Sequence, residues 1–228
     1  MSSLLAGAAV ASCRLRRPRA ALPPVFALVF VVVAALLERR VGLTRAPDRA
    51  LVGAVFGLAL PLLAYSMLSC ATDQSRLETA VWEVGRHGAS RRLGAAGLIA
   101  VTAVCLASLG ALLAAVAVAL TRRVGDAQLA SDLVASAWLG LVGGASYACW
   151  FALASTFGSR GGGRVVALLV DWILGSGVTA LAAPWPRGHL RNLLGTTPVL
   201  DMPQWSALAA LLLLSVCYAA LAVWRSPD

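Results

Sequence analysis

Six long apolar stretches, each set off from the next by a short polar segment, decide what this chain can fold into. They cover residues 20–37, about 50–71, 94–121, 133–157, 165–183 and about 206–224. A helix crosses the ~30 Å hydrocarbon layer with roughly 20 apolar residues at about 1.5 Å rise each. The Leu, Ala and Val content of the stretches does not alternate as a membrane β-strand would. Helices also satisfy their backbone polar groups internally, which lipid demands. The expectation is an all-α polytopic membrane protein with six transmembrane helices, forming one transmembrane domain over residues 1–228. With 60% hydrophobic and 13% charged residues, little chain is left for a second globular domain; soluble domains carry about 25% charged residues.

The boundaries carry their own signals. Pro23 and Pro24 sit at the start of the first stretch, and Glu38, Arg39 and Arg40 close it. The stretch at 94–121 is long enough to require tilt or extension beyond the lipid. All 19 basic residues are arginine. With the N-terminus inside, eleven fall on cytoplasmic segments and eight outside, and the cluster Arg14, Arg16, Arg17 and Arg19 lies directly against the first stretch. Both ends are therefore expected in the cytoplasm. Trp138, Trp185, Trp205 and Trp224 lie near stretch ends, as interfacial anchors would. The net charge of +9 is spread over many loops, so it points to anionic membrane lipids rather than to nucleic acid.

Three features are read structurally. Cys13 follows Val10-Ala11-Ser12 in the shape of a lipoprotein box, but the basic residues come after it, where a signal peptide has them before its apolar core. The first twenty residues are instead expected along the inner surface. The cysteines at 13, 70, 105, 149 and 217 have no metal-ligand spacing and read as small buried hydrophobes. The run Gly158-Ser159-Arg160-Gly161-Gly162-Gly163-Arg164 lacks the Gly-Lys-Ser/Thr ending of a phosphate loop and reads as a tight basic turn. No ATPase signature is present in the sequence, and the chain is not expected to be an enzyme by itself.

The connector at 73–92 is the most informative loop. Leu77, Val81 and Val84 recur at helical spacing with Ala80 beside them, while Arg76, Glu78, Glu83 and Arg86 supply polar surface. Gly85 and Gly88 end or bend the helix, and Ser90-Arg91-Arg92 leads into the third stretch. Such a segment can lie on a membrane or face a cytosolic partner.

In its order of parts the chain resembles the permease subunits of ATP-binding-cassette transporters of the ABC-2 exporter class. A basic segment at 1–19 precedes the first helix, the connector from Asp73 through Glu78 to Gly94 follows the second, and an outer segment at 184–203 precedes the last. The likeness covers roughly residues 14–225 and rests on short, degenerate motifs. It implies a multi-pass subunit of the bacterial cytoplasmic (inner) membrane, paired with a second permease copy as a homodimer. It also implies two copies of a cytosolic ABC ATPase that bind the ATP and Mg, so that this chain holds no cofactor. The coupling helix would be residues 73–86, with Glu78, Trp82, Glu83 and Arg86 as contacts. The 184–203 segment, with Leu190, Leu193 and Leu194, would be the family's re-entrant hairpin. The short loop between the first two helices departs from relatives that carry an outer domain.

Within the stretches, Gly53 with Gly57 and Gly140 with Gly144 form GxxxG pairs suited to helix packing. Asp171 lies inside the fifth stretch, where a carboxylate is costly and should face protein or water, with Arg164 as a field partner. It has a pathway or packing role and no second acid or histidine for catalysis, and Ser176 and Thr179 make no enzyme site with it. His87 and His189 read as surface residues. Two other classes stay open: an ATP-independent secondary transporter or channel, and a non-transporting membrane assembly protein. No three-plus-three repeat favours the former. Lipids, drugs, small peptides and lipid-linked glycans all fit apolar walls as cargo.

Overall fold

The computed structural model describes residues 2–41, 46–86, 88, 90–122, 125–196 and 198–227. His87, Arg45 and Arg123 lie outside these. Among the described residues five helices are long and apolar enough to cross a membrane: α2 (Pro18–Val41), a composite second span (Ala46–Ala71), α7 (Arg91–Thr121), α8 (Leu129–Ala154) and α11 (Gln204–Trp224). A short helix α1 (Ser3–Leu15) precedes them. The second span comprises α3 (Ala46–Arg49), a π-helical stretch (Ala50–Ala59) and α4 (Leu60–Ala71).

The centre of the bundle is the antiparallel pair α7 and α8. Gly140 meets the backbone of Gly110, and Gly144 meets that of Leu106 and Ala107. A β-carbon at either position would stand inside the facing carbonyl, so the two backbones touch where only glycine allows it. Leu60, Leu63, Leu98, Leu106, Tyr147 and Phe151 fill the space between this pair and the second span.

Helices α8 and α11 run parallel. Ser215 Oγ donates to Ser146 Oγ, the Tyr218 ring lies 5.1 Å from that of Trp150, and Arg225 Nε donates to Thr156 Oγ1, a nearly constant sequence offset along both helices. Parallel neighbours oblige the chain between them to return along their length. The fifth apolar stretch makes that return in pieces, which corrects the single helix expected at 165–183. Helix α9 (Gly163–Leu174) has 12 residues, about 18 Å. It ends at Gly175, and after Gly177 and a 3₁₀ turn (Ala180–Ala182) a further short helix, α10 (Pro186–Leu193), begins. Glycines and the paired prolines Pro184 and Pro186 are the cause, since each weakens or stops a helix.

The segments assigned to one side by the arginine pattern gather at one end of the bundle. Asp73 pairs with Arg17 and Arg19, Arg14 donates to the Ala71 carbonyl, Leu77 N–H to Ser155, and Arg76 to Thr156. At the other end Glu38 pairs with Arg49, and Arg39 donates to Leu120. Helix α1 packs across the first turns of α7, where Gly7 faces Gly94 and the Leu4 carbonyl faces Gly97.

Candidate functional site

Two places in this frame concentrate polar side chains. The first is buried. Asp171, fully enclosed on α9, accepts a 2.9 Å hydrogen bond from Tyr147 Oη of α8 and a 3.2 Å bond from the Arg187 backbone N–H at the start of α10. The Arg187 side chain continues across to the second span and donates to the Gly57 carbonyl at 2.9 Å. Pro61, four residues on, has no N–H, so no α-helical bond competes for that carbonyl. One carboxylate and one arginine thus tie α8, α9, α10 and the second span together. Arg164, expected as the field partner of Asp171, points elsewhere: it bonds Thr72 Oγ1 and the Arg160 carbonyl.

Around this node the broken stretch is met by side chains. Tyr218 Oη donates to the Pro184 carbonyl, Arg191 to the Ser176 carbonyl, and Asn192 to the Met202 carbonyl. His189 Nε2 lies 2.7 Å from the Ala183 carbonyl, and the ring is buried, which corrects its reading as a surface residue. Trp185, half-buried, meets Trp150 edge-on at 5.3 Å, whereas Trp138, Trp205 and Trp224 are exposed. Cys13 and Cys217 are exposed, which corrects their reading as buried hydrophobes, whereas Cys105 and Cys149 are half-buried and pack against the core. Among the described residues no cluster of three or more His, Cys, Asp or Glu could hold a metal.

The second place is the connector. It forms two single-turn helices, α5 (Leu77–Ala80) and α6 (Trp82–Arg86). Leu77, Ala80, Val81 and Val84 are buried against the bundle, and Trp82, Glu83 and Arg86 are exposed. Glu78 is half-buried and pairs with Arg76 at 3.0 Å. The guanidinium of Arg91, at the start of α7, lies 4.1 Å over the Trp82 ring.

Of the two glycine pairs, Gly140 and Gly144 lie in the α7–α8 contact. Gly53 faces open space, and Gly57 faces the Arg187 side chain. Sequence reasoning missed Tyr147 and Arg187: the tyrosine has no pattern around it, and the arginine was counted with an outer loop. The Pro184 and Pro186 pair, which starts a helix at 186, was the available signal.

The chain is a multi-pass, all-helical membrane protein. Comparison with protein-family models, with curated proteins and with solved structures returns no match.

Proposed function

We propose that this chain is the membrane-spanning subunit of an ATP-driven exporter of the ABC-2 permease kind. It would work as one of two copies around a shared pathway in the bacterial cytoplasmic membrane and be driven by a separate ATPase. The supporting observation is the connector. Trp82, Glu83 and Arg86 turn outward from the end where residues 2–19 and the 158–164 turn also meet, over a buried footing of Leu77, Val81 and Val84. A push on that edge reaches two elements, through Leu77 and Arg76 to Ser155 and Thr156 at the end of α8, and through Trp82 to Arg91 of α7. In this reading ATP-driven closure of the ATPase pair biases a two-state membrane assembly through that footing. The Asp171 node then joins the elements that shift against one another.

The test is purification of the chain, after mild crosslinking in its native membrane, with assay for a bound ATPase. An ATP-hydrolysing partner is expected to co-purify. Glu83→Arg is the cleaner probe, because Glu78 is already engaged by Arg76. Glu83→Arg, alone or with Glu78→Arg, should abolish association while the chain still inserts, and Glu83→Arg alone should leave thermal stability unchanged. Association that survives both removes the docking role; no ATPase at all removes the exporter reading and leaves an ATP-independent transporter or channel, or a non-transporting assembly protein.

A further inference from the structure

The glycine-rich turn at 158–164 makes none of the docking contacts of that proposal, yet it encloses a cation. Arg164, second residue of α9, is 4% exposed. None of the ion pairs among the described residues involves Arg164 or Arg160. Asp73, the acid in the adjoining loop, is taken by Arg17 and Arg19. The partners of Arg164 are the neutral Thr72 hydroxyl and the Arg160 carbonyl. A buried cation without a counter-charge is costly, and it is retained where a counter-charge can arrive.

The turn is shaped around this guanidinium. Arg160 and Gly161 both adopt left-handed backbone, with φ of 51° and 70°. A β-carbon at 161 would stand 2.7 Å from Arg164 Nη2 and 2.8 Å from the Ser75 carbonyl, so only glycine lets the turn close here. Beside it opens a cavity of about 500 Å³ lined by Tyr65, Ser66, Ser69, Gln74, Arg160 and Arg164, with no carboxylate among its described walls. It lies at the ends of two helices, Ser69 being in the last turn of α4 and Arg164 in the first of α9.

We infer that this cleft binds an anionic phosphate group. The planar guanidinium fork matches phosphate oxygens in pairs, the Ser66 hydroxyl and the Gln74 amide supply further donors, and the exposed Arg160 adds a second charge at the mouth. The phosphate comes either from a lipid headgroup, since the cleft sits where the spans end, or from a soluble ion. The inference does not depend on an ATPase or on transport.

The experiment is native mass spectrometry of the purified chain titrated with phosphatidic acid in phosphatidylcholine nanodiscs, and separately with inorganic phosphate in detergent. Saturable binding is expected, weakened about tenfold or more by Arg164→Gln. Arg160→Gln, at an exposed position, should weaken it to a lesser degree. Arg40→Gln, which removes the same charge at the opposite end, should leave it unchanged. Arginine-dependent binding of phosphatidic acid alone assigns the site to a lipid, and of inorganic phosphate to a soluble ion. If neither binds, or if Arg160→Gln and Arg40→Gln act equally, the cleft is not a phosphate site. Should Arg164→Gln fail to fold, the Arg160→Gln and Arg40→Gln pair decides.

Discussion

Helix α8 and the stretch that follows it are both apolar enough to read as single spans, yet they hold their places by opposite means. Helix α8 is unbroken and presses glycine against α7, backbone to backbone, with no polar group required. The following stretch breaks after Leu174, and each break exposes backbone groups that lipid cannot satisfy. Side chains close them instead: Asp171 takes the Arg187 N–H, Tyr218 the Pro184 carbonyl, His189 the Ala183 carbonyl and Arg191 the Ser176 carbonyl. The polar residues of this half are thus explained first by the broken backbone. Hydropathy counts apolar side chains and is blind to that distinction.

The sharpest break of the contrast is at the glycine seam. Gly144→Val places a β-carbon 2.2 Å from the Leu106 carbonyl oxygen and adds two methyls to it, and no flexible side chain is there to yield. It is expected to cost about 3 kcal/mol or more, the upper range for overpacking. Thermal unfolding in detergent, followed by size-exclusion fluorescence, measures it. A loss under about 1 kcal/mol would mean that the α7–α8 pair separates without resistance.

The polar half should respond to chemistry rather than to volume. Asp171→Ala leaves the Tyr147 hydroxyl and the Arg187 N–H without their acceptor, and about 2–3 kcal/mol should be lost. Asp171→Asn keeps a carbonyl oxygen for one of them and should cost less. Tyr147→Phe removes one donor and should cost about 1 kcal/mol. Equal losses for Ala and Asn would show that the charge itself, and not the acceptor, secures the node. The same unfolding assay separates the three.

The ends and the long helices were legible because length and hydropathy determine them: 94–121 against Arg91–Thr121 differs by three residues at one end. The apolar stripe of the connector was legible too, since Leu77, Val81 and Val84 repeat at helical spacing and are buried. The break after Leu174 was not, because within the 165–183 run only two glycines, Gly175 and Gly177, mark it, and the prolines Pro184 and Pro186 come after the run has ended. The node was hidden for a different reason. Tyr147, Asp171, Arg187 and Gly57 come from four elements, and no spacing links residues brought together only by packing.

The mildest change tests the seam against a helix face that lacks one. Gly53 belongs to the same sequence pattern as Gly140 and Gly144, but nothing stands within 4 Å of where its β-carbon would lie. Gly53→Leu should therefore alter the stability of the isolated chain by less than about 0.5 kcal/mol, the usual limit for a surface substitution. If a second copy packs on this face, the added side chain is felt only in the assembly, because the chain itself offers Gly53 no neighbour. Mass photometry together with thermal unfolding of the variant beside the wild type reads that: the monomer's melting temperature does not fall while the dimer fraction does. An unchanged dimer fraction places the contact between copies on another face, and a lowered monomer melting temperature would contradict the open space at Gly53.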